Sequence, residues 1–202
     1  MLGPGRHALG WDIAVTGDLS SIWINRIEGD VGTLAALITL HDCDRIAAQR
    51  KVVSAIMESA YDCVGAGDKS GLGRESVGEL ELAYPDRFAG VIFGRESKLA
   101  LGALMSETYE QRFQVIPADH AEIAADLACV RKSATAAGKL AYVETKNEVL
   151  PESHADICWS NALALYAGKN LLGYGPARFE AAGADETEKS WRDSRYPDHS
   201  DD

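Results

Sequence analysis

Leu9-Gly10-Trp11-Asp12-Ile13-Ala14-Val15-Thr16 is a short apolar run with one carboxylate near its middle. Apolar runs of this length, closed by turn residues, form buried strands. A charge inside such a strand is costly unless it is paired or holds a metal. Asp12 therefore has two readings. It is a turn residue near a frayed N-terminus, or it is the first ligand of a cation site.

The rest of the chain supplies the frame. Thr16-Gly17-Asp18 is a turn signal, and residues 19–27 read as a second strand around Ile22, Trp23 and Ile24. After Glu28-Gly29-Asp30, residues 31–40 read as a third strand rich in Val, Leu, Ile and Thr. Three strands with tight connections make an antiparallel meander. Residues 44–60 are helical, with Ile46, Val53, Ile56 and Met57 on one face. A short strand over 61–67 leads into the glycine-rich loop Asp68-Lys69-Ser70-Gly71-Leu72-Gly73. A helix over 74–83 is broken by Tyr84-Pro85-Asp86, and residues 87–94 carry Phe88, Val91, Ile92 and Phe93 of a buried strand.

A long helix follows over 96–113. Pro117 and Asp119 open another, with Glu122 as its acidic N3 residue, and it runs to about Ala137. Residues 139–145 form one more strand. The clearest helix is 153–169, where Ala155, Cys158, Trp159, Ala162, Leu163 and Tyr166 share one buried face. A meander, then alternating helices and strands, then a terminal helix describes an α/β protein with a mixed sheet flanked by helices. The ribonuclease H-like fold has that order. The expected division is a disordered lead over 1–8, one domain over 9–170, and an acidic, disordered tail over 171–202.

Charge narrows the function. The net charge is −11, of which −4 falls in residues 171–202. Proteins that grip nucleic acid alone draw affinity from Lys and Arg. Either nucleic acid is not the substrate, or metal ions and another domain supply the positive charge. No apolar run approaches the ~18 residues of a membrane span, and no signal-peptide pattern opens the chain. Cys43, Cys63, Cys129 and Cys158 are scattered, which points to reduced thiols in the cytosol.

Three carboxylates occupy comparable places: Asp12 in the first strand, Asp68 at the end of a later one, and Asp156 in the first turn of the last helix. If the first and fourth strands are neighbours, a helix packed beside them brings all three to one point. Three carboxylates together repel and raise one another's pKa. Two divalent cations, Mg2+ or Mn2+, relieve this and suit hydrolysis of a phosphodiester. Asp12 would bridge both ions, and Asp68 and Asp156 would each complete one. Bland readings stand beside these. Ser153-x-x-Asp156 is also a capping pattern, Asp68 can simply begin a turn, and Asp18 reads as a turn residue that can also line the cavity. His154 is an accessory ligand or an ordinary helix-start histidine. Lys98, Arg131, Lys132 and Lys139 are candidate phosphate contacts or solvated cations. Asp68-Lys69-Ser70 lacks the glycine of a phosphate loop, and the sequence has no G-x-S-x-G elbow.

Gly10-Trp11-Asp12-Ile13-Ala14 with Gly17-Asp18-Leu19-Ser20 resembles the opening of the nuclease domain in large terminase subunits of tailed, Mu-like phages. Asp68-Lys69-Ser70-Gly71-Leu72-Gly73 is similar to that family's D-x-[ST]-G-x-G. The run from Ser153 to Leu165 resembles its H-A-D-x-x-W-A-x-A-L-A-L helix, and Arg131-Lys132 with Thr135-Ala136-Ala137-Gly138 also fits. The resemblance covers residues 9–167. It implies a ribonuclease H-like, metal-dependent endonuclease that cuts concatemeric double-stranded DNA during genome packaging, with Asp12, Asp68 and Asp156 as metal-binding acids. It also implies, as partners, an ATP-driven motor domain, a small terminase subunit and a portal, all in the host cytoplasm. No Walker A sequence is present, so the expectation is an excised domain or a fragmentary prophage gene. A resolvase-type nuclease of the same fold and a non-catalytic prophage remnant are the alternatives.

Overall fold

The computed structural model describes residues 2–14, 19–41, 45–60, 62–134, 140–145 and 147–174. Its centre is a six-stranded mixed sheet in the order β5-β4-β1-β2-β3-β6. β1 (Arg6–Asp12), β2 (Ser20–Glu28) and β3 (Val31–Leu40) form the antiparallel meander. β4 (Cys63–Asp68) lies parallel to β1, β5 (Phe88–Val91) lies parallel to β4, and the short β6 (Gln114–Val115) lies parallel to β3. This is the ribonuclease H-like mixed α/β architecture, and its first and fourth strands are adjacent, the condition on which the approach of Asp12 and Asp68 depends.

Helices cover both faces. α1 (Ile46–Ser59) and α2 (Arg74–Ala83) pack on one side, where Leu9, Trp11, Ile22 and Ile24 meet Val53, Met57, Val77 and Leu80. α3 (Arg95–Glu110), α4 (Ala121–Ala128) and α5 (Asp156–Leu172) lie on the other, against Ala8, Val64, Ala66 and Trp23. Successive side chains of β1 therefore enter two different cores. That explains why its middle, Ala8 to Trp11, is apolar without alternation.

Several boundaries differ from the sequence reading. β1 begins at Arg6, inside the stretch 1–8 expected to be disordered, and His7 and Ala8 are buried. It ends at Asp12, so the carboxylate stands at the mouth of the strand rather than mid-way along it. The helix expected to reach Ala137 stops at Ala128. The chain reverses there into β7 (Val130–Ala134), which pairs with β8 (Leu140–Glu144) in a separate two-stranded sheet. Pairing wins because the Cys129 carbonyl accepts from both the Thr145 N–H and the Thr145 hydroxyl, at 2.9 and 3.1 Å. At the other end of α4, His120 rather than Asp119 holds the N-cap, with its Nδ1 3.1 Å from Glu122. α5 continues to Leu172, and Tyr174 is buried, so the fold reaches into the segment assigned to the tail. Residues 175–202, the rest of that segment, lie outside the described residues. No helix among the described residues is long and apolar enough to cross a membrane. Cys63, Cys129 and Cys158 are free thiols; Cys43 lies outside the described residues.

Candidate active site

The β1–β4 register sets Trp11 opposite Gly67, so the next residues, Asp12 and Asp68, end neighbouring parallel strands side by side. Both follow the alternation of their strands. Ala8 in β1, and Val64 and Ala66 in β4, belong to the core under α3 and α5, and the acids two or four residues on point to that same side. The carboxyl ends of parallel strands are where open α/β sheets place their ligands.

α5 brings the third acid. A Cβ on Gly10 would lie 1.9 Å from the Ser160 carbonyl oxygen and 2.4 Å from the Ala164 nitrogen. Only glycine admits the helix this close. The Ser160 hydroxyl also meets the Ser21 hydroxyl of β2 at 2.8 Å, and Ser21 pairs with Asp12 in the sheet. Farther along, Gly168 approaches Ala8, so α5 runs antiparallel to β1. Asp156 precedes Ser160 by one turn, about 6 Å of helix rise. Asp12 follows Gly10 by two residues, about 6.6 Å of strand rise. The two displacements run the same way and nearly match, which puts Asp156 over Asp12.

The electrostatics agree with this placement. Burial, then the Asp156 and Asp68 carboxylates, push the Asp12 carboxyl well above the usual carboxylate range. Lys98 and a hydrogen bond from the Ile13 backbone pull the other way. Asp12 is only 8% exposed, so its charge is poorly solvated.

Local hydrogen bonds hold the other two acids. Asp68 Oδ1 accepts the Ser70 N–H at 2.8 Å, and Ser70 Oγ accepts the Phe93 N–H at 2.6 Å. The loop then folds back so tightly that a Cβ on Gly73 would lie 2.1 Å from the Asp68 carbonyl oxygen. The turn reading of Asp68 is thus correct as far as it goes: one oxygen makes the turn. Asp156 Oδ2 accepts the His154 N–H at 2.8 Å, and the Asp156 N–H donates to Ser153 Oγ at 3.2 Å. The capping box is thus only half formed: α5 has Ala155 at its N-cap, Ser153 accepts the Asp156 N–H, and Asp156 returns to the His154 N–H rather than to that of Ser153. Among the described residues, no three His, Cys, Asp or Glu side chains close around one point tightly enough to hold an ion. The donor set nevertheless fits a hard divalent cation: all oxygen, anionic, and carrying an excess proton affinity at Asp12 that a cation would relieve.

Lys98 stands on α3 with its ammonium 4.7 Å from the centre of the Trp159 ring and 5.3 Å from that of Phe93, and it forms an ion pair with Glu144 of β8. It is the candidate cation that bears on Asp12. Arg131 and Lys132 are exposed on β7, in the separate two-stranded sheet, not at a helix end. His154 is exposed on the turn before α5. Asp18 and Lys139 lie outside the described residues.

Three groups escaped the sequence reading. Glu144 accepts both Lys98 and the Trp159 indole N–H, the latter at 2.7 Å. Ser21 and Ser160 fix α5 on β2. Asp126 is fully buried in α4 and accepts from Asn147, Ser153 and the Cys158 N–H. A readable signal existed for Asp126: it shares the apolar face of Ile123 and Leu127, where a lone carboxylate demands partners.

Comparison with known proteins bears on the fold. No family model matches the chain, and no curated protein matches it by sequence. Solved structures do. The large terminase nuclease from the thermophilic phage G20c with bound magnesium is 19% identical, with a TM-score of 0.66 over 82% of each chain. The nuclease domain of the large terminase g2p from bacteriophage SPP1, with bound Mn, is 13% identical, with a TM-score of 0.51 over 80% of this chain and 85% of that one. The large terminase of bacteriophage HK97 is 8% identical, with a TM-score of 0.58 over 83% of this chain but only 40% of its own length. The chain has the fold of phage large-terminase nuclease domains.

Proposed function

We propose that this chain is a metal-dependent DNA endonuclease, the nuclease domain of a phage terminase large subunit, which cuts concatemeric double-stranded DNA during genome packaging. The observation that supports the reading is that Asp12 and Asp68 end neighbouring parallel strands and that the charges of both Asp156 and Asp68 bear on the buried Asp12. Magnesium in the G20c nuclease and manganese in the SPP1 nuclease, both of the same fold, support it.

In this reading Asp12, Asp68 and Asp156 hold two divalent cations, Mg2+ or Mn2+, with Asp12 central because it is buried and bears the like charge of the other two. The chemistry those cations supply is activation of water and stabilisation of the leaving oxygen of a phosphodiester. The chain's own part is to keep three anionic ligands in place without cations, on rigid elements. Ser70 orients Asp68, the Ser153–His154 turn orients Asp156, and the Gly10–Ser160 contact sets the distance between helix and strand. Lys98 offers a positive charge next to Asp12 for a DNA phosphate. In this reading His154 is an accessory group of the same site, and Arg131 and Lys132, exposed on β7, are outer phosphate contacts. The net charge of −11 assigns most DNA capture elsewhere. A motor domain, a small terminase subunit and a portal, in the host cytoplasm, fill that role.

Supercoiled plasmid tests the reading. Nicking and linearisation with manganese or magnesium, none with EDTA, and none from a folded Asp12→Asn variant are the expected results. Equal cutting by the variant removes the mechanism, and a strong preference for four-way junctions over linear duplex moves it to a resolvase. If manganese leaves the melting temperature of the folded protein unchanged, only the fold remains.

A further inference from the structure

Asp126 is fully buried in α4, outside the acidic cluster, yet both of its oxygens are engaged by the segment that delivers Asp156. Oδ1 accepts the Ser153 hydroxyl at 2.6 Å and Asn147 Nδ2 at 3.0 Å, and Oδ2 accepts the Cys158 N–H at 2.8 Å. Asn147 and Ser153 are themselves buried. A carboxylate is an acceptor only, and here three donors from three points of one segment converge on it.

The pattern has a direction. Ser153 has a single hydroxyl proton, and Asp126 takes it. The lone pairs of that oxygen are thereby turned to the Asp156 N–H, 3.2 Å away. Cys158 belongs to the first turn of α5, whose N–H groups have no partner within the helix. Asp126 supplies one from outside, where a negative charge also suits the helix dipole. Between these anchors Ala155 is held at φ 69°, a left-handed conformation that a residue with a Cβ keeps only where its surroundings impose it. The end of α5 is thus capped by Asp126 and Ser153 together, and Asp156 is not the residue on which its cap depends.

We propose that Asp126 is the positioning residue for Asp156: acting through Ser153 and the Cys158 amide, it fixes where the Asp156 carboxylate stands over Asp12. The proposal rests on the endonuclease reading for its purpose, but its geometry can be tested without turnover. Partners that orient ligands in this way typically shift metal affinity by about 10–100-fold when removed.

The experiment uses the full chain as wild type, Asp126→Asn, Ser153→Ala and Ser153→Thr. Two readouts are taken: the manganese concentration that half-maximally raises the melting temperature, and amide hydrogen exchange at Asp156 and Cys158 without metal. Asp126→Asn and Ser153→Ala should raise the manganese midpoint about 10-fold or more and speed exchange at both amides, and Ser153→Thr, which keeps the hydroxyl, should restore both. Folded variants with the wild-type midpoint and wild-type exchange overturn the proposal. If Asp126→Asn does not fold, the Ser153 pair decides alone. If wild type itself shows no manganese response, the endonuclease reading fails, and exchange at the two amides still decides the role of Asp126: faster exchange in the variants sustains it, unchanged exchange sinks it.

Discussion

The backbone of Ser160 in α5 rests on the bare Cα of Gly10 in β1, with room for no side chain between them: a Cβ on Gly10 would lie 1.9 Å from the Ser160 carbonyl oxygen. This contact sets the height of the helix above the sheet, and so the separation of Asp156 from Asp12. Gly10→Ala should therefore cost stability and site geometry together. Overpacking a core typically costs about 1–3 kcal/mol, and a backbone neighbour that cannot yield puts this site at the upper end. A urea midpoint within error of wild type would show that α5 is not seated on β1 as described.

Asp12 gives a pH dependence of defined sign. Its folded-state carboxyl is raised above the unfolded value, so between the two values the folded state holds the proton more tightly. Stability without metal must then fall as pH rises from about 4, the unfolded value, through the folded one. Asp12→Asn removes that penalty. In EDTA the variant should be more stable than wild type at pH 7, by about 1.4 kcal/mol for each tenfold difference in proton affinity, and the gain should vanish near pH 3. Urea titrations at the two pH values check it; a variant less stable than wild type at pH 7 contradicts the strain at Asp12.

Lys98 separates structural from electrostatic roles. Its pair with Glu144 is roughly a third exposed on each side, so Lys98→Met should cost less than about 1 kcal/mol. If the ammonium meets a DNA phosphate, the same variant should lower the slope of log affinity against log salt by about 0.9 for duplex DNA. An unchanged slope would remove Lys98 from the DNA contacts and leave it as the partner of Glu144 and Trp159.

Most of the central sheet was legible because its determinants are local. The meander showed in its apolar runs and in the turn at Glu28-Gly29-Asp30, β4 ended at Asp68-Lys69-Ser70, and α2 ended where Tyr84-Pro85-Asp86 breaks it. Adjacency of Asp12 and Asp68 was legible only as a condition, that the first and fourth strands be neighbours, and the β1–β4 register meets it. The hairpin of β7 and β8 was not legible. Residues 129–137 carry no strong period, and the bond from Thr145 back to Cys129 that starts the pairing spans 16 residues. Asp126 was missed for a similar reason, since its three donors lie 21, 27 and 32 residues downstream. The capping and ligand readings of Asp156 stood side by side in one dimension. In three they coexist: one oxygen accepts the His154 N–H while the residue stands over Asp12.

The most direct test is a manganese soak of a crystal of this protein, read by anomalous scattering. The account predicts anomalous peaks within bonding distance, about 2.0–2.3 Å, of carboxylate oxygens from Asp12, Asp68 and Asp156, and their loss in Asp12→Asn. A peak that excludes Asp12, or no peak at millimolar manganese in a crystal where all three acids are solvent-accessible, would contradict it.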